Sequence, residues 1–177
     1  VELKIVDENR LEIPLGETGE IALKSFGIMK GYYKMQEHTD DVLDQEGWFY
    51  TGDLGVQDEE GYLHFVGRKK EMIIRRGYNI YPQEIESVLT KHPNIMVAAV
   101  VGIPDEVLGE VVCAFIQLKK GTEISEGEIK AFVKKQIANY KVPEKLMFIE
   151  DFPMTASGKI QKSRLLDPMD AKVSRPV

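Results

Sequence analysis

GRKKEMIIRRGYNIYPQEIESVLTKH, residues 67–92, is where the chain changes character. A glycine is followed by three cations, Arg68, Lys69 and Lys70, and then by the short apolar run Met72-Ile73-Ile74 that Gly77 ends. That run predicts a strand. Pro82 stands where a first helical turn tolerates proline, and Ile85, Val88 and Leu89 follow at i, i+3, i+4 spacing, so a helix is predicted next. Glu84 and Glu86 then fall among its solvated face charges. The glycine and its cations, between two strand patterns, set a domain boundary near Gly67–Lys70.

Downstream, IMVAAVVGI (95–103) and EVVCAFIQL (110–118) read as β-branched strands joined through the turn PDEVLG. Ser125 and Glu128 have capping-box spacing ahead of Ile129, Phe132, Val133 and Ile137, which predicts a second helix. KLMFIE (145–150) is a last strand and KSRLLD (162–167) a closing helical turn. The order β-α-β-β-α-β describes a small two-layer α/β domain over 67–177. Upstream, residues 1–66 are β-rich. VELKIV and EIALKSF alternate, EHTDDVLD is a short helical piece, and WFYTGDLGVQDEEGYLHFVG holds two strands around Asp58–Gly61. The fold class is therefore α+β.

Composition limits the functions available. Of 177 residues 43% are hydrophobic, enough for a packed core, and the net charge of −6 argues against general nucleic-acid binding. A single cysteine, Cys113, sits in an apolar run and forms no internal disulfide, which fits a reducing compartment. The histidines, His38, His64 and His92, have no ligand-like spacing, so no metal site is assigned. No apolar run reaches membrane-spanning length, and a cytoplasmic protein is expected.

Three stretches could carry chemistry. FPMTASGKIQ (152–161) places Lys159 on a Thr/Ser/Gly-rich loop. It is no phosphate-binding P-loop, because Pro153 and Ile160 stand where a glycine and a hydroxyl are required. A cation on a flexible stem suits a developing negative charge, although a solvated surface lysine reads the same way. WFYTGDLG (48–55) ends an aromatic strand in a turn that projects Asp53, either as an acceptor for ribose hydroxyls or as an ordinary turn aspartate. In the third stretch, Arg68 offers a planar fork to a ribose or phosphate, and Gly77 permits positive φ or close approach of a ligand.

Taken in order, YTGDL (50–54), GRKKEMIIRRGYNIYPQEIE (67–86), PDEVLGE (104–110) and PMTASGK (153–159) resemble the C-terminal part of the adenylate-forming superfamily. GEIALKSFGIMKGYYK (19–34) resembles the segment those enzymes carry before YTGDL, so the likeness covers nearly the whole chain and ends after about Leu166. The pattern is most similar to fatty and related carboxylic acyl-CoA synthetases. The resemblance implies that residues 1–66 are a remnant of a large N-terminal domain and that 67–177 are the mobile C-terminal domain. It implies ATP/AMP and CoA as ligands, a carboxylic acid as substrate, and Mg2+ held by an upstream part of the enzyme. It places Asp53 and Arg68 on the adenylate ribose, Lys159 on the carboxylate and α-phosphate, and Gly77 beside the incoming thiol. Lys70 becomes the hinge, where many relatives carry aspartate. Lys159 also matches a loop whose lysine is acetylated in related synthetases, which implies an acetyltransferase partner.

The upstream phosphate loop and acyl pocket of such enzymes have no counterpart in these 177 residues. The expectation is a fragment, inactive alone, whose natural partner is the remainder of its own N-terminal domain. The alternative is a stand-alone regulatory module that binds a nucleotide or a partner protein.

Overall fold

The computed structural model describes residues 1–166 and the backbone of 173 and 174. The chain divides into two compact units, Val1–Lys70 and Glu71–Val177.

The first unit is a four-stranded antiparallel sheet in the order β1 (Glu2–Val6), β2 (Thr18–Lys24), β3 (Phe49–Gln57), β4 (Leu63–Arg68), with the short helix α1 (Gln36–Val42) between β2 and β3. Its central cluster is small: Val6, Ala22 and Tyr50, with Trp48 packed against them. Two polar features brace the cluster. The Tyr50 hydroxyl donates to Asp44 Oδ2 at 2.8 Å, and Lys4 Nζ lies 4.1 Å from the Trp48 ring centroid. Burial, and then the Asp44 contact, push the Tyr50 phenol up to about 12.

The second unit runs β5 (Ile73–Arg75), β6 (Tyr78–Ile80), α2 (Pro82–Leu89), β7 (Ile95–Asp105), β8 (Gly109–Leu118), α3 (Glu126–Lys134), β9 (Lys145–Ile149), and a two-residue strand β10 (Val173–Ser174). Where the sequence suggested one opening strand there is a hairpin, β5–β6. The remaining elements follow the expected order, so the molecule is α+β. The β7–β8 pair is antiparallel and is the longest ladder; β8 pairs β9 in parallel.

The β7 and β8 runs are almost continuously apolar because both faces of this sheet are covered. Val112, Ala114 and Ile116 point to one face, where they pack with Ile85 and Leu89 of α2 and Ile129 and Val133 of α3. Their alternating neighbours, Cys113 and Phe115, point to the other face and meet Ile149, Leu165, Phe152 and Ile160. The segment that carries Lys159 is thus the cover of the second face. Cys113 is fully buried, and burial pushes its thiol up to about 11. The α3 capping box is formed in both directions: Ser125 Oγ accepts from Glu128 N–H, and the Glu128 side chain accepts from Ser125 N–H.

Glu84 and Glu86 are not simply solvated face charges. Glu84 holds Lys141 Nζ at 2.6 Å, and Glu86 is turned inward with its side chain 17% exposed. Glu86 Oε1 accepts the Val100 N–H at 2.8 Å, which satisfies a backbone donor of β7, a strand that among the described residues pairs with β8 alone.

Candidate functional site

Asp53 is presented by a bulge. In the β2–β3 ladder Glu20 faces Leu54 and Ala22 faces Tyr50, so Thr51, Gly52 and Asp53 together stand opposite the single residue Ile21. The extra residues break the ladder, and side chains take over its lost bonds. Thr51 Oγ1 donates to the Ile21 carbonyl at 2.8 Å and accepts from Asp53 N–H at 3.1 Å. The Gly52 N–H donates to Glu20 Oε1 at 2.9 Å, and Glu20 Oε2 receives Lys69 Nζ at 2.8 Å. Gly52 has φ +72, which explains a glycine at the apex.

On the neighbouring strand Arg68 is the register partner of Asp53. Its Nε lies 3.0 Å from Asp53 Oδ1, yet that buried oxygen has no hydrogen-bond partner. The close charges attract without a directed N–H···O bond. Oδ1 itself is closed off, while the Asp53 side chain as a whole stays 31% exposed, so a ligand could reach the carboxylate only through its exposed part. Beside it Thr51, Gly52, Arg68, Lys69 and Lys70 line a pocket of about 330 Å3. Of the residues proposed from sequence, the fold brings Asp53 and Arg68 together. Lys70, exposed at the end of the first unit, lies in a 3-10 turn with Lys69 and Glu71.

Gly77 and Lys159 belong to the second unit, on separate turns. Arg76 (φ +49) and Gly77 (φ +81) form the two-residue turn of the β5–β6 hairpin, with Arg75 opposite Tyr78. Two successive positive φ angles are the pattern of a type I′ turn. Tyr78 stacks on Tyr140 with centroids 4.9 Å apart, and Arg75 reaches both the Tyr140 carbonyl and Glu144.

Lys159 stands on a closed hairpin rather than an open loop. Met154 and Ile160 bridge its strands, Thr155 N–H donates to the Lys159 carbonyl at 2.8 Å, and Lys159 N–H donates to Thr155 Oγ1 at 3.0 Å. Gly158, at φ +79, makes the turn, and the Lys159 side chain is exposed. Among the described residues no group of three or more His, Cys, Asp or Glu side chains could hold a metal ion. No helix there is long and apolar enough to cross a membrane.

The family model for the AMP-binding enzyme C-terminal domain matches residues 84–159, from α2 to Lys159 itself. The chain carries the AMP-binding enzyme C-terminal domain. It is homologous to the C-terminal part of acyl-CoA ligases. The medium-chain acyl-CoA ligase ACSF2, mitochondrial, of Danio rerio is 46% identical over 165 residues, covering 93% of this chain and 27% of the relative. The o-succinylbenzoate CoA synthetase MenE of Bacillus subtilis, solved with its acyl-adenylate intermediate OSB-AMP, superposes with a TM-score of 0.88. It is 35% identical and matches 97% of this chain and 34% of its own. ATP-bound MatB of Rhodopseudomonas palustris gives 0.87 at 38% identity, covering 93% and 33%. The chain spans between a quarter and three tenths of the length of the curated relatives it matches. Because ACSF2 is named as mitochondrial, the cytoplasmic expectation is not carried over to this domain.

Sequence reasoning missed Glu20, Thr51 and Lys162. Glu20 could have been suspected from its place in TGEIALK, where it shares strand parity with the buried Ala22. Thr51 was visible within YTGDL, but its double role follows only from the bulge.

Proposed function

We propose that this chain is the C-terminal portion of an AMP-forming acyl-CoA ligase acting on a fatty or related carboxylic acid. In this reading residues 1–70 are the last lobe of the large adenylation domain, and the unit beginning at Glu71 is the mobile domain hinged at Lys70. A substrate carboxylate oxygen attacks the α-phosphorus of ATP; the new P–O bond forms as the bond to the bridging oxygen breaks, and pyrophosphate leaves. The CoA thiol then attacks the acyl carbon, loses its proton, and AMP departs. Asp53 would accept the ribose hydroxyls, with Arg68 beside it, and Lys159 would neutralise charge on the α-phosphate. Gly77 would border the path of the thiol. Mg2+ would be held upstream.

The observation that carries the reading is that Asp53 and Arg68 stand together on paired strands, the Asp53 carboxylate on a clamped bulge and its side chain 31% exposed, beside a pocket lined by Thr51, Gly52 and Arg68. The relatives solved with ATP and with an acyl-adenylate support it. Lys159, exposed on its hairpin, is open both to the substrate and to an acetyltransferase. The test is Lys159→Gln in the full-length parent. ATP–pyrophosphate exchange should fall about 100-fold or more, the scale of losing one group that stabilises the transition state. Thioester formation from supplied acyl-adenylate should survive. Undiminished exchange would sink the assignment. The chain alone should form no acyl-adenylate in a hydroxamate assay.

A further inference from the structure

Lys162 follows Lys159 by three residues and is turned the other way, into the unit, with its side chain 21% exposed. Its Nζ lies 2.7 Å from Glu71 Oε2 and 2.8 Å from Glu86 Oε1. Glu86 Oε1 is itself fixed by the Val100 N–H. One ammonium thus joins three places: the first residue after Lys70, helix α2 and strand β7.

The base of the Lys159 hairpin has two kinds of attachment. Ile160 and Leu165 pack on the Cys113 face of the sheet, and the Gln161 N–H closes the base on the Pro153 carbonyl at 2.8 Å. Apolar packing resists withdrawal of the segment but directs it poorly, being non-directional. The ionic tether supplies direction, because a charge-assisted contact to two carboxylates held by other elements fixes where residue 162 sits. Without the ammonium, Glu71 and Glu86 would be like charges facing one another, and the partly buried Glu86 would be left short of a cation.

We propose that Lys162 is a positioning residue for adenylation, locking the base of the Lys159 hairpin to the residue that leaves the hinge, so that Lys159 is delivered as a rigid arm. The proposal rests on the reading of Lys159 given above. Positioning of this kind has a large effect on rate, since displacement of about 1 Å can cost 100-fold.

The experiment uses the full-length parent with Lys162→Gln, Lys162→Arg, Glu71→Gln and, as reference, Lys159→Gln. ATP–pyrophosphate exchange is measured beside thioester formation from supplied acyl-adenylate. Lys162→Gln should lower kcat for exchange roughly 10- to 100-fold with KM for ATP changed little, while thioester formation stays near wild type. Lys162→Arg should recover most of the loss, and Glu71→Gln, which leaves one carboxylate in place, should lose less. Equal loss in both half-reactions would overturn the proposal and leave Lys162 as a fold residue only. So would full exchange activity in Lys162→Gln when Lys159→Gln has lost it. If Lys159→Gln keeps normal exchange, the function reading fails first and the proposal with it.

Discussion

Asp53 and Lys159 are both held out by tight turns, and the turns are built in opposite ways. The bulge of Asp53 is clamped from far along the chain: Ile21 receives Thr51, Glu20 receives Gly52, and Glu20 in turn holds Lys69. The hairpin of Lys159 is closed from within, by Thr155 and by its own backbone, and reaches outside itself only at its base. A carboxylate that must accept a ligand without rearranging benefits from distant clamps. A lysine that must be presented and withdrawn benefits from a self-contained arm. Damage to the first should therefore register as lost stability, and damage to the second as lost local order.

The contrast can be tested from its strong end to its weak one. The strand leading into the bulge depends on protonated Tyr50, whose phenol is pushed up to about 12 by burial and then by Asp44. The folded unit holds this proton more tightly than the unfolded chain, so the stabilisation is complete below pH 10 and drains away as pH rises through 12. A loss on the order of 2 kcal/mol is expected across that window. It should appear as a falling urea midpoint by emission of Trp48, which packs beside Tyr50. Tyr50→Phe should be flatter, and identical profiles would break the argument. Glu20→Ala orphans the Gly52 N–H and should cost about 1–3 kcal/mol by the same emission readout. Thr51→Val removes two hydrogen bonds at once but leaves Glu20 in place, and roughly 1 kcal/mol is expected. At the weak end, Thr155→Val should stay within about 0.5 kcal/mol in a urea titration, yet speed tryptic cleavage after Lys159. A large global loss there would mean that the hairpin is clamped like the bulge after all.

The elements were legible where local pattern decides them. Ile85, Val88 and Leu89 announced α2, the Ser125–Glu128 pair announced the start of α3, and the polar turn Asp58–Gly61 announced the two strands it joins, β3 and β4. Strand β6 was not legible, because a two-residue turn of this kind normally advertises itself with asparagine or aspartate followed by glycine. Here Arg76 takes the left-handed position at φ +49. The inward turn of Glu86 was hidden for another reason: its partner, the Val100 N–H, belongs to a strand that leaves that donor free, and strand order is not written in local sequence. For the site, the motifs named Asp53, Arg68 and Lys159, but not what holds them. Glu20 lies 32 residues from Gly52 and 49 from Lys69, so its clamp exists only once the sheet has formed.

The thiol of Cys113 is the single one in the chain, fully buried on the sheet face that the lysine-bearing segment covers. An aqueous alkylating or disulfide reagent can reach it only when that cover lifts or the sheet opens. At saturating reagent, the labelling rate of the native protein becomes the opening rate itself. The second unit thus carries a built-in clock for its slow motions, readable by mass without any added probe.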